Sequence, residues 1–342
     1  MYLDPNNVSE FNGHFFGLSS SVEEANLIYL SIPWDVTTSY GEGTAKGAQA
    51  ILEASYEPEW YDFDYPDIWQ VPRATLPISS EIAQKNQKLR SLAQKVIQHL
   101  ENGGTTDDEA IAKELQTVNQ ASIELNDWVY QQAQQLIKQN KLMGLIGGDH
   151  SVPLGYMKAL AEHYPSYGIL QIDAHADLRN GYEGFIYSHA SIMYHALQIP
   201  AITHLIQVGI RDVCQAEIEL IQTDNRIVAF DDWQLKDRAF AGITWAQQCQ
   251  EIIAKLPPLV YISFDIDGLS PEFCPNTGTP VPGGLQFNEA IYLLCEVVKA
   301  GKTIIGFDLC EVAPGNDEWD GNVGARLLYK LSNLTIASQQ RH

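Results

Sequence analysis

The chain has 342 residues, 45% of them hydrophobic, and carries 43 acidic against 21 basic side chains for a net charge of −22. Such a surface repels phosphate backbones and anionic membranes, which disfavours nucleic acid and lipid as partners. Five scattered cysteines, an odd number with no C-x-x-C pair, suggest neither a disulfide framework nor a thiolate zinc site, and fit a reducing cytoplasm.

The opening "MYLDPNNVSEFNGHFFGL" lacks a basic region followed by a long apolar run, so no secretory signal is expected, and the first 25 residues or so read as loop or extension. No later segment is long and apolar enough to span a bilayer. A first strand is expected in "LIYLSIP" (27–33), and an aromatic-rich stretch follows in "YEPEWYDFDYPDIW" (56–69). Leu89, Leu92, Val96, Ile97 and Leu100 recur at three and four, which predicts an amphipathic helix over 82–100. The break around 101–110 reads as an exposed loop before a second long helix, from Ile111 to Asn140.

Beyond it, short apolar runs alternate with helical patterns. Strands are expected in "LMGLIGG" (142–148), "GILQID" (168–173), "HLIQVGI" (204–210), "RIVAF" (226–230), "VYISFD" (260–265) and "TIIGFD" (303–308). Helices are expected in 152–163, 216–223, 287–300 and 322–334. Continuous apolar strands, each followed by a helix, indicate a parallel sheet covered on both faces, in one α/β domain over 1–342.

In open α/β sheets, ligands bind beyond the carboxyl ends of the strands. Four of these runs end in titratable groups: Asp149 and His150; Asp173, His175 and Asp177; Asp265 and Asp267; and Asp308 followed by Glu311. Singly, each has a bland explanation, such as Asp149 or Ser151 capping the next helix. Together, His150, Asp173, His175, Asp177, Asp265 and Asp267 put two imidazoles and four carboxylates at one edge, a donor set for a binuclear metal site. Carboxylate-rich ligation without a thiolate suits two divalent ions, Mn²⁺ first, with Ni²⁺, Co²⁺ or Fe²⁺ compatible.

These residues resemble the ureohydrolases, the arginases, agmatinases and their relatives. "GGDHS" (147–151), "DAHAD" (173–177), "SFDIDGLSP" (263–271) and "EVAP" (311–314) match that family in type, order and spacing, and the likeness extends into "IPWDVTTSYGEGTAKGAQAI" (32–51) and "GTPVPGG" (278–284). The resemblance implies a three-layer α/β/α sandwich with a mostly parallel, roughly eight-stranded sheet, assembled as trimers or hexamers. It also implies hydrolysis of a guanidino group to urea plus an amine or ammonia. By position it assigns His150, Asp173, Asp177 and Asp265 to one metal, and Asp173, His175, Asp265 and Asp267 to the other. His189 in "YSHAS" becomes the proton shuttle, although the family often has glycine where this chain has Ala190. Glu311 would pair with the substrate guanidinium and, with Asp177, complete the catalytic set.

The substrate is less legible. Arg179 could read the carboxylate of a guanidino acid such as arginine, homoarginine or 4-guanidinobutyrate, or pair with a local acid such as Glu183. The "IPWDVTTSYGEGT" segment is more agmatinase-like, and agmatine ends in an ammonium that Arg179 would repel. Trp60, Tyr61, Trp69 or Trp319 could narrow the pocket around a small substrate, even free guanidine, or serve as core or subunit-interface residues. Rival expectations are a formiminoglutamate-type amidine hydrolase and a catalytically silent regulatory homologue.

Overall fold

The computed structural model describes residue 6 and residues 9–340, so the first residues of the expected N-terminal extension, where a signal was judged absent, lie mostly outside it. Successive residues of strand β1 (Leu27–Ser31) face opposite ways. Leu27 and Tyr29 enter one apolar cluster, Ile28 and Leu30 the other. Every β1 residue is buried, because helices cover both faces and leave no polar side to the sheet.

The remaining strands are β2 (Arg73–Thr75), β3 (Leu142–Ile146), β4 (Tyr167–Ile172), β5 (Ile202–Val208), β6 (Ile227–Phe230), β7 (Leu259–Asp265) and β8 (Thr303–Cys310). They form an eight-stranded sheet in the order β2-β1-β3-β8-β7-β4-β5-β6, and each neighbouring pair is parallel. The last two strands thus insert between β3 and β4, and the ends of all four meet at one edge of the sheet. Strand order reverses around that place, where α/β sheets open a crevice.

Helices α1 (Gly47–Ala54), α2 (Ser80–Glu101), α3 (Glu109–Lys138), α4 (Leu154–His163), α5 (Ile192–Ala196), α6 (Gln215–Thr223), α7 (Asp232–Phe240), α8 (Trp245–Ala254), α9 (Phe287–Lys299) and α10 (Trp319–Gln339) connect the strands. Residues of α1, α8, α9 and α10 join the first cluster; those of α2, α3, α4 and α5 join the second. The expected α/β/α layering is therefore present, with a sheet that is wholly rather than mostly parallel. Helix α3 begins two residues earlier than the apolar spacing indicated, because the Asp108 carboxylate accepts the N–H groups of Ala110 and Ile111.

Strand β2 and the N-terminal segment depart from the sequence reading, as do helices α1, α5, α7 and α8, which it did not expect. Strand β2 is only three residues long and contains Arg73, fully buried, whose charge disguises it. The N-terminal segment is core as well as extension: Phe15 and Phe16 are fully buried, and Phe15 meets Tyr29 edge-on at 5.2 Å between ring centroids. Trp60 is buried, donates through Nε1 to the Phe16 carbonyl at 3.0 Å and stacks on Trp69 at 5.7 Å. Those two indoles therefore pack the N-terminal layer, and Tyr61 is exposed.

Candidate metal centre and substrate cleft

The loop after β3 brings its backbone against the loop after β1. A Cβ on Gly148 would lie 1.9 Å from the Trp34 carbonyl oxygen, so only glycine fits there. This contact sets the path of the chain into Asp149 and His150. The Asp149 N–H donates to the Trp34 carbonyl at 2.8 Å, and the His150 N–H donates to Glu311 Oε1 at 2.8 Å. Two strand ends, those of β3 and β8, are thereby tied together directly beneath the cleft.

The His150 ring is oriented from behind. Its Nε2 lies 2.8 Å from Ser263 Oγ, and that hydroxyl donates to Asp308 Oδ2 at 2.9 Å. Nδ1 is buried on the forward side of the ring; burial works downward on this imidazole, but the Asp173 and Asp177 carboxylates outweigh it and hold its pKa well above the usual range. Nδ1 faces carboxylates: Asp177 Oδ2 at 3.0 Å, Asp173 Oδ2 at 3.1 Å and Asp265 Oδ2 at 3.5 Å. His175 Nδ1 lies 3.0 Å from Asp267 Oδ2 and 3.7 Å from Asp173 Oδ1. The structure thus brings all six expected donors together. Within each of the trios His150–Asp173–Asp265 and Asp173–His175–Asp267, the ligating atoms lie within 4.8 Å of one another. Asp173 belongs to both.

Their electrostatics call for a cation. Burial, then the charges of Asp267 and Asp173, push the Asp265 carboxyl well above the usual range. Burial and the neighbouring Asp173 raise Asp177 to about 7. For Asp173 burial works upward, but the His150 and His175 imidazoles outweigh it and hold the acid low. Like charges enclosed at this density need compensation, which the His150 and His175 imidazoles supply in part, their own pKa values being raised by the same carboxylates. Oxygen and imidazole donors fit divalent cations.

Asp308 differs from expectation. It lies within β8 rather than at its end and serves the rear of the His150 ring. Cys310 joins it and His150 in a third close trio, so a thiol is near the site after all; burial pushes that thiol well up, which keeps it protonated. Asp149 closes a turn by accepting the Ser151 N–H at 3.0 Å and does not cap α4, which starts at Leu154.

Two non-glycine residues here have left-handed backbones, Asp177 (φ 55°) and Glu311 (φ 64°). Such conformations cost about 1–3 kcal/mol each and collect at functional sites. The Asp177 carbonyl accepts two N–H groups, from Met193 and Tyr194, which holds the bend. The Glu311 Oε2 is buried and unpartnered, and a Cβ on Gly278 would lie 3.5 Å from it.

A cavity of about 170 Å³ opens beside two of the donors, His175 and Asp177, and is lined further by Arg179, His189, Tyr40, Tyr182, Asp212 and Glu217 among others. His189 is therefore at the cleft. Burial and then the nearby His175 and His150 lower its pKa to about 3, so it is neutral at pH 7. Arg179 is also at the cleft, but its acidic neighbour is Glu217 (Nε to Oε2, 3.9 Å) and not Glu183, which accepts the Ser39 hydroxyl instead. Trp319 does not line this cavity; it is 45% exposed and donates through Nε1 to the Glu272 carbonyl at 2.8 Å. Tyr40, Tyr182, Asp212 and Glu217 were not singled out from sequence. Asp212 follows β5 as the ligands follow their own strands, so the strand-end rule could have found it.

Sheet order, layering and donor trios together define an α/β chain with a candidate metal centre at its carboxyl edge. The model of the arginase family matches residues 25–332, and the chain belongs to that family. It is a ureohydrolase, a hydrolase acting on C–N bonds of linear amidines. It is similar to an N(1)-aminopropylagmatine ureohydrolase from Synechocystis (28% identity, covering 94% of this chain and 93% of that protein). It is also similar to an agmatinase from Proteus mirabilis (29% identity, 92% and 86% covered). In fold it resembles the agmatine ureohydrolase of Thermoplasma volcanium, with a TM-score of 0.72 at 21% identity and 96% of each chain covered.

Proposed function

We propose that this chain is a binuclear-metal ureohydrolase that releases urea from a small guanidino compound with an amine-bearing tail. The observation that carries the reading is the pair of donor trios sharing Asp173. In this reading His150, Asp173, Asp177 and Asp265 hold one divalent ion, and Asp173, His175, Asp265 and Asp267 hold the other, Mn²⁺ being favoured and Ni²⁺ compatible. Two such ions supply a water whose pKa falls from about 15.7 toward neutrality, the nucleophile that an unreactive guanidinium requires.

The protein's own groups do the rest. Glu311, with Oε1 held by the His150 N–H, aims its free Oε2 at the guanidinium and fixes the carbon over the metal cluster. His189, which lines the cleft, is the imidazole placed to relay a proton to the departing amine.

The amine tail is supported by charge. Beyond His175 and Asp177, the cleft carries Asp212 and Glu217 against Arg179, and Glu217 lies close enough to offset the arginine. The agmatinase relatives are named for substrates of this kind. A second reading, a guanidino acid, is favoured by the Arg179 N–H groups, whose contact with Glu217 at 3.9 Å is too long for a hydrogen bond. Filled donor positions, His189 and Glu311 disfavour a silent homologue, and urea release separates this enzyme from a formiminoglutamate-type hydrolase.

A single domain over 1–342 is part of the proposal, supported by the span of the family match. So are a homo-oligomeric state, trimer or hexamer, and a cytoplasmic location, which the five free thiols suit. No helix among the described residues is long and apolar enough to cross a membrane. The deciding experiment is urea release from agmatine, arginine, homoarginine, 4-guanidinobutyrate and guanidine after loading with Mn²⁺ or Ni²⁺. Turnover of agmatine above the acids supports the reading; release of urea from none of them contradicts it.

A further inference from the structure

The stretch "RNGYEGFIYSHAS" forms a tight hairpin between Arg179 and His189. Tyr182 and Phe185 exchange backbone hydrogen bonds of 2.9 and 2.8 Å, and the two residues between them have positive φ, Glu183 at 53° and Gly184 at 83°. That is the signature of a type I′ turn. Helix α3 pins the turn: Asn119 donates to the Gly184 carbonyl at 3.1 Å and accepts the Ile186 N–H at 2.8 Å. From the other side, the Ser39 hydroxyl donates to Glu183 at 2.7 Å.

The turn delivers Tyr182 to the cleft wall between two groups of the proposed mechanism. The Arg179 Cζ lies 4.9 Å above its ring, a cation–π distance. The His189 ring meets it at 6.1 Å and 83°, edge to face. Among the described residues, none is seen to hydrogen-bond the buried Nδ1 of His189. Its orientation therefore depends on packing against this tyrosine.

We propose that Tyr182 is a positioning residue that holds the His189 ring and the Arg179 guanidinium in place, so that one aromatic side chain couples proton delivery to recognition of the substrate tail. The proposal rests on the reading of His189 as the proton shuttle. Tyr182 touches no reacting atom in this scheme; it acts through its two neighbours. It is the ring that meets both neighbours, whereas the hydroxyl interacts with Tyr40.

Two variants of the metal-loaded enzyme, Tyr182→Phe and Tyr182→Leu, test this in two ways. In crystal structures, His189 should keep one rotamer in wild type and in Y182F, and occupy several or swing away in Y182L. In kinetics with agmatine, Y182F should stay within about twofold of wild type. Y182L should lose kcat by about tenfold or more, and its KM ratio between agmatine and 4-guanidinobutyrate should shift as Arg179 is released. Its metal content should match wild type. A single unchanged His189 rotamer in Y182L overturns the proposal, as does an unchanged kcat in Y182L when His189→Ala is inactive. If wild type releases no urea from any guanidino compound, the enzymatic reading fails, and the rotamer comparison alone still decides the role of Tyr182.

Discussion

Glu311 accepts the backbone N–H of His150 at 2.8 Å through one carboxylate oxygen, while the other is buried with no partner. One half of the side chain is thus structural and the other is reserved. Burial and the neighbouring Asp149 push this carboxyl well above its usual range, so it gains from an incoming cation.

Glu311→Gln keeps a carbonyl oxygen for the His150 N–H but removes the charge. Losing one charge-assisted bond worth about 1.5–3 kcal/mol should lower kcat/KM roughly 10- to 150-fold. Metal content should be unchanged. Steady-state urea release beside metal analysis checks both; a loss of metal equal to the loss of activity would place Glu311 in the metal site instead.

Arg179→Ala separates the two substrate readings. With an amine-tailed substrate, removing the cation relieves repulsion and exposes Glu217, so KM for agmatine should fall a few-fold or stay level. If the natural tail is a carboxylate, wild type should prefer 4-guanidinobutyrate, and the variant's KM for it should rise at least about tenfold. The comparison of the two KM values decides between them.

Metal removal should destabilise the chain in a residue-specific way. Saturation at about a hundred times Kd stabilises a fold by about 2.7 kcal/mol, so chelation should lower Tm by several degrees. In the chelated protein Asp265→Asn should melt higher than wild type, because it removes a carboxyl whose ionisation is opposed by burial and then by Asp267 and Asp173. In the metal-loaded protein the order should reverse. Thermal melting of the four samples tests it; the same order in both states would mean that Asp265 is not a ligand.

The sequence exposed seven of the eight strands because a covered parallel sheet needs continuous apolar runs, and it exposed the six donors because each follows such a run. β2 escaped because a three-residue strand has no periodicity and its buried Arg73 looks like surface. Helices α1, α5, α7 and α8 escaped because each is short, and α7 is largely polar. The tail subsite was illegible for another reason. Tyr40, Tyr182, Asp212 and Glu217 come from separate loops, and only the folded hairpin and the turn after β5 bring them together. Arg179 lines the cleft, but its neighbour Glu217 is 38 positions away in the chain, beyond the reach of local reasoning.

Acid stability should depend on a cluster far from the cleft. Lys330 Nζ lies 2.9 Å from Asp62 Oδ1 and 2.7 Å from Asp64 Oδ2. The hydrogen bond from Lys330 holds Asp64 below the usual carboxylate range. A group depressed in the folded state contributes stability that is present above its unfolded value of 3.8 and is lost as pH falls through the folded value. Lys330→Met should therefore flatten the acid limb of a Tm-against-pH curve, starting below about pH 5. A parallel downward displacement at every pH would point to lost packing alone.

The most direct measurement is an anomalous difference map from a crystal of the manganese-loaded protein. Two peaks should appear, one within coordination distance of His150, Asp173, Asp177 and Asp265, the other of Asp173, His175, Asp265 and Asp267. A single peak, none, or peaks away from these side chains would contradict a binuclear centre and the chemistry assigned to it.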